Sequence, residues 1–136
     1  MSRFDEIAVG QALPERPYKA NEVSLFLYNA AIWNGHRIHY DAPYTTGVEG
    51  HPAIVIDGPL QGDWLSQCVL DWLGADGALL AFNYSNRRAA YIGETLTATG
   101  EVVAKDEGQR TVEVKLGIRN EKGDIIAPGG AVVRFD

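Results

Sequence analysis

Between Pro59 and Gly74 the chain carries apolar side chains around most of a helix's circumference, and no other segment narrows the possible folds as much. Pro59 suits a first helical turn because its missing N–H is one of the donors a helix start leaves unpaired anyway, and Gly74 suits the stop. The bracket encloses about four turns. Gly62, Asp63, Ser66, Gln67 and Asp71 share one stripe, while Leu60, Trp64, Leu65, Cys68, Val69, Leu70, Trp72 and Leu73 occupy most of the rest. A helix of this kind must be wrapped by other structure on more than one side.

The wrapping is written downstream. Val112, Val114, Leu116 and Ile118 alternate with Thr111, Glu113, Lys115, Gly117 and Arg119; Leu96, Ala98, Gly100 and Val102 alternate with threonines and Glu101. That period of two predicts half-buried antiparallel strands. Asp106-Glu107-Gly108 and Glu121-Lys122-Gly123-Asp124 read as short hairpin turns, with further strands near 79–85 and 130–135 completing a meander. Upstream, 7–13 with Pro14 and Pro17 read as a short strand and a loop. Residues 24–33 form a short helix capped by Asn21 or Ser24 and ending at Gly35. Residues 42–52, with two prolines and two glycines, form an irregular loop into the apolar run 53–56. The expected fold class is α+β, an antiparallel sheet of about five strands curved around one long central helix, with element boundaries uncertain by about 2 to 4 residues. At 136 residues, a single domain over 1–136 is expected.

Charge and composition exclude several classes of function. A net charge of −6 lacks the basic face that nucleic acid requires, so any phosphate-bearing ligand must be held by a local patch. No stretch approaches the roughly 18 uninterrupted apolar residues of a membrane span, and the opening residues do not read as an export leader. The one cysteine, Cys68, falls inside the apolar helix with no disulfide partner, which fits a reducing cytoplasm and a packing role.

The residues that carry chemistry lie just before the central helix. Asn34-Gly35-His36-Arg37-Ile38-His39-Tyr40-Asp41 places two histidines, an asparagine, an arginine and an aspartate together, and Gly58-Pro59-Leu60 opens the helix. With this order of elements, the phrase resembles the MaoC-like hydratases and dehydratases of the hotdog fold, in the branch of 3-hydroxyacyl-thioester dehydratases and mesaconyl-coenzyme A hydratase. In the wider family the motif is Asp-x-Asn-Pro-x-His. On this sequence His39 takes the histidine position, Asn34 stands where the aspartate would be, and His36 where the asparagine would be. Asp57 stands where relatives often carry a histidine.

The resemblance implies reversible addition of water to a 2-enoyl thioester of coenzyme A or acyl carrier protein, without a cofactor. His39 would be the base, an imidazole being suited to take a proton from water near neutral pH. The backbone N–H of Gly58, at the positive end of the helix, would face the thioester oxygen as enolate charge builds there. Asn34 would orient the water or fix the imidazole. His36 and Asp41 would support it from behind, Asp41 as an acceptor for a ring N–H. Arg37, Arg87 and Arg88 would hold phosphates or a carboxylated acyl group. A zinc site is not expected, because it needs about three or four ligands and His51 is the only other histidine. The resemblance also implies a homodimer, with a heterodimer of two hotdog subunits second. Two other functions remain open: a thioesterase on the same fold, and a weakly catalytic acyl-binding partner subunit.

Overall fold

A computed structural model describes residues 2–136. In chain order its elements are α1 (Arg3–Glu6), β1 (Arg16–Lys19), α2 (Glu22–Ala31), a 3-10 turn (Arg37–His39), α3 (Ala42–Gly47), α4 (Gly58–Leu73), β2 (Gly77–Tyr84), β3 (Thr95–Asp106), β4 (Thr111–Arg119) and β5 (Ile125–Phe135).

The apolar helix expected between Pro59 and Gly74 is α4. Pro59 lies in its first turn, and Gly74 closes it with a left-handed φ of 63°, its N–H donating to the Leu70 carbonyl at 2.8 Å. Leu65, Cys68, Val69 and Leu73 are almost fully excluded from solvent. The two tryptophans anchor the helix at different points of the wrapping: Trp64 stacks on Tyr18 of β1 with ring centroids 4.7 Å apart, and Trp72 meets Phe135 of β5 edge-on at 5.7 Å. Two positions depart from the expected stripes. Leu70 is exposed, since it falls two turns after Asp63 on the outward face, and Gly62 is buried.

The sheet has five antiparallel strands in the order β1-β3-β4-β5-β2. Leu96, Ala98 and Val102 of β3, with Val112, Val114, Leu116 and Ile118 of β4 and Ala131, Val133 and Phe135 of β5, turn inward to one core shared with α4. This is the hotdog arrangement. Only β3, β4 and β5 form a meander, however. β2 lies at the far edge beside β5, so the chain crosses the sheet between β2 and β3 instead of turning back on itself.

Upstream, the first strand is Arg16–Lys19; of 7–13, residues 10–13 run beside β3 through the Gly10 N–H to Val102, the Val102 N–H to Gln11 and the Leu13 N–H to Gly100, with a single bridge from Ala12 to Glu101. Pro17 is tolerated in β1 because an edge strand has backbone groups that need no ladder partner. The segment 42–52 is also more regular than its prolines and glycines suggest. Asp41 accepts from the Tyr44 N–H, Pro43 sits in the first turn, and the short helix α3 results. Residues 54–56 run beside 90–92, with Ile56 N–H donating to Ala90 at 2.8 Å and Ile92 N–H to Ile54 at 3.0 Å. That ribbon fixes where α4 begins. Among the described residues, no helix is long and apolar enough to cross a membrane.

Leu65 has no exposed surface at the centre of α4, so Leu65→Ala is expected to lower unfolding free energy by about 2 to 5 kcal/mol in urea titrations, from lost transfer energy and the cavity left behind.

Candidate active site

The segment between α2 and α4 is held by short local bonds. Asn21 and Ser24 form a reciprocal capping box at the start of α2. At its other end Trp33 adopts a left-handed φ of 57°, a conformation that is costly for a bulky residue, while the Asn34 N–H donates to the Asn29 carbonyl at 2.9 Å. The chain is thereby turned so that Asn34 faces back along α2. The 3-10 turn follows, tied by the Val55 N–H to the Ile38 carbonyl at 2.9 Å.

His39 is buried, and its Nδ1 lies 2.8 Å from the Val55 carbonyl. A carbonyl oxygen only accepts, so this contact places the proton of the neutral ring on Nδ1 and leaves Nε2 with a free lone pair. Asp41, expected as the acceptor for a ring N–H, does something else. It caps α3 and receives Arg37 through Nε at 3.0 Å and Nη2 at 2.8 Å. Arg37 is further engaged over the Tyr44 ring at 4.1 Å. Both residues brace the turn that carries His39. The ring of His36 stands edge-on to that of His39 at 5.7 Å, and its backbone N–H donates to Asn34 Oδ1 at 3.1 Å.

The residue that sequence reasoning left outside the site is Asp57. It has no solvent exposure, and its carboxylate joins three separate stretches of chain: Asn29 Nδ2 donates to Oδ1 at 3.0 Å, Asn34 Nδ2 to Oδ2 at 3.4 Å, and His39 Nδ1 lies 3.4 Å from Oδ1. Asn29 is missed with it. The available signal was an acidic residue closing the apolar run Ile54-Val55-Ile56, a place where a charge is buried and needs partners.

Two cavities flank this network. One, of about 220 Å³, is lined by His39, Gly58, Gln61, Asn86, Arg87 and Arg88. The imidazole and the start of α4 therefore share a space. The amide of Asn86 packs so closely on Gly58 that a Cβ there would collide with it. Arg87 donates from Nε to Ser85 Oγ at 3.1 Å, and Arg88 pairs with Asp124 at 3.0 Å. Arg37 does not line this cavity. The other space, of about 340 Å³ and mostly apolar, is bounded by Phe26, Asn29, Ala30, Trp33, Asn34 and Tyr40. Near the first turns of α4, Tyr28 donates to Asp63 at 3.3 Å; burial, then the charge of Asp63, pushes the Tyr28 phenol well above its ordinary value, so it stays protonated.

Residues 7–92 match the sequence family described as hydroxyacyl-thioester dehydratase type 2. The chain belongs to that family. Similar proteins include the mitochondrial hydroxyacyl-thioester dehydratase type 2 of Saccharomyces cerevisiae, 25% identical over 84% of this chain and 42% of the yeast protein. The mesaconyl-C(4)-CoA hydratase of Chloroflexus aurantiacus is 53% identical over 26% of this chain and 13% of its own. This type 2 dehydratase-family chain thus spans less than half the length of those relatives. Its fold is similar to that of an (R)-hydratase from A. caviae involved in PHA biosynthesis, with a TM-score of 0.87 and 20% identity over 96% of this chain and 98% of the other.

Asp41 sets the local stability of the family chain's motif. The Tyr44 N–H, then Arg37, holds its carboxyl below the usual carboxylate range. A carboxyl lowered on folding contributes stability that is complete above its unfolded pKa and lost as pH falls through its folded one, so the cap is intact at neutral pH. Asp41→Ala is expected to speed hydrogen exchange of the Tyr44 amide relative to its intrinsic rate, while amides in the middle of α4 keep theirs.

Proposed function

We propose that this chain is an enoyl-thioester hydratase acting reversibly as a 3-hydroxyacyl-thioester dehydratase. The observation that carries the reading is the shared cavity: the His39 ring, with Nδ1 committed to Val55, and the first residue of α4 line one space. Nε2 of His39 takes a proton from water, the hydroxyl adds at C3, and the electron pair of the double bond moves through C2 to the thioester oxygen. The proton then passes from the ring to C2, so water is added with no net proton gained or lost.

The enolate oxygen formed on the way needs a donor already in place. The N–H of Gly58 is one of those a helix start leaves without an intrahelical acceptor, and the helix dipole favours negative charge at that end. Removing a comparable donor in other enzymes costs about 2.7 to 4 kcal/mol of barrier. Asn34 acts on the imidazole through Asp57, and His36 flanks the ring. Arg87 and Arg88 lie beside the cavity where the phosphates of coenzyme A or of a carrier-protein arm, or an acyl carboxylate, would approach. Arg37 supports the turn instead of contacting ligand.

The active unit in this reading is a homodimer. Val23, Phe26, Leu27, Ile32 and Trp33 leave an apolar face of α2 and the turn after it open to solvent, with Trp33 95% exposed, which is the signature of a surface covered by another chain. A heterodimer with a second hotdog subunit would cover it equally. A reducing, cytoplasmic setting is part of this reading, and the single cysteine, Cys68, is buried in the core.

Purified protein is expected to consume the conjugated double bond of crotonyl-coenzyme A without releasing thiol, and His39→Ala to lower turnover by about 10²- to 10⁴-fold with an unchanged circular dichroism spectrum. Thiol release would indicate a thioesterase. Unchanged turnover in His39→Ala would reject the assignment.

A further inference from the structure

We infer that Asp57 is the positioning carboxylate of this site: it aims the His39 imidazole and offsets the positive charge the ring acquires when it takes a proton from water. The inference rests on the hydratase reading above and adds a residue to it.

The first observation is what Asp57 declines to do. It immediately precedes α4, and an aspartate there ordinarily turns its side chain onto the N–H of the second or third helical residue. Asp57 makes no such bond. Its carboxylate points the other way, toward the amides of Asn29 and Asn34 and the ring of His39, and no side-chain oxygen of Asp57 caps the first N–H groups of α4.

The second is that a carboxylate without solvent exposure is held here by two neutral amides, with the His39 ring nitrogen close by. In the resting ring the Nδ1 proton is directed chiefly at Val55, 2.8 Å away, with Asp57 Oδ1 at 3.4 Å. Once Nε2 accepts the water's proton the ring is a cation, and its nearest counter-charge is that oxygen, in a place where water does not screen the pair. The attraction is stronger while the ring is charged than before or after, so it acts on the chemical step and not on ligand binding. Asp57 touches neither the thioester nor the attacking water.

The third is the pairing of Asn34 with Asp57 across a single hydrogen bond of 3.4 Å. Exchanging the two residues keeps one amide and one carboxylate in contact, with donor and acceptor reversed, and moves the negative charge by only a side chain's length. A structural role for the charge at position 57 alone gives no reason for such an exchange to restore turnover.

The test compares wild type, Asp57→Asn and the double variant Asn34→Asp/Asp57→Asn for hydration of crotonyl-coenzyme A, with thermal melts of each. Asp57→Asn is expected to lower kcat by about 100-fold or more while KM stays within about threefold, and the double variant to return kcat to within about tenfold of wild type. A kcat for Asp57→Asn within about threefold of wild type overturns the inference, as does a loss spread equally over kcat and KM that the double variant leaves unrepaired. Should Asp57→Asn fail to fold, the double variant decides alone: kcat within about tenfold of wild type supports the assignment, and a greater loss overturns it. No turnover by the wild-type protein removes the hydratase reading and this inference together, whereas an active wild type with an active Asp57→Asn removes only the latter.

Discussion

A carboxylate taken fully out of water is tolerated only where donors replace the solvent, and leaving one unpaired costs several kcal/mol. At Asp57 those donors come from Asn29 on α2 and Asn34 on the turn after it, with the His39 ring of the 3-10 turn 3.4 Å away, while the backbone of the same residue starts α4. The segment 29–39, which spans the end of α2, the turn after it and the 3-10 turn, is therefore fixed relative to the start of α4 through one group. Neither can drift without stranding the charge or another buried polar atom. The ribbon between 54–56 and 90–92 anchors Asp57 from the sheet side, and the Trp64 and Trp72 contacts anchor the helix that follows it.

The candidate site is assembled from ordinary folding devices. The left-handed turn at Trp33 delivers Asn34, the Arg37–Asp41 pair and the α3 cap stiffen the next turn, and the Val55 carbonyl selects the ring tautomer. Each is a backbone or capping interaction of the kind that stabilises any small domain. Their combined effect is that His39 and the start of the central helix line one cavity. The open apolar face of α2 adjoins the same region, so closure by a second subunit would act on the segment that carries Asn34.

Much of the fold was legible in the sequence because local pattern dictates it. The near-complete apolar girdle of α4 demanded a wrapping, and the alternation in β3 and β4 supplied it. What was not legible was non-local. The position of β2 beside β5 depends on pairing across the sheet, which alternation within a strand does not encode. The first strand was expected at 7–13, which is more apolar than 16–19; residues 10–13 do lie along β3, but the continuous register with it falls at 16–19. Residues 42–52 looked irregular because Pro43 was read as a breaker when it starts a helix capped by Asp41. In the site, the phrase from Asn34 to Asp41 and the opening at Gly58 were evident, but the partner of each was not. Arg37 and Asp41 satisfy each other four residues apart, and Asp57 resembles a helix cap until its side chain is seen to face the other way.

The most direct test of the account is a crystal structure with butyryl-coenzyme A, a saturated ligand that binds without reacting. The thioester oxygen is predicted to lie about 3 Å from the backbone nitrogen of Gly58, with C3 facing Nε2 of His39 across the space of one water. A ligand seated elsewhere, or one whose carbonyl points away from the start of α4 while His39 faces no part of the acyl group, would contradict it.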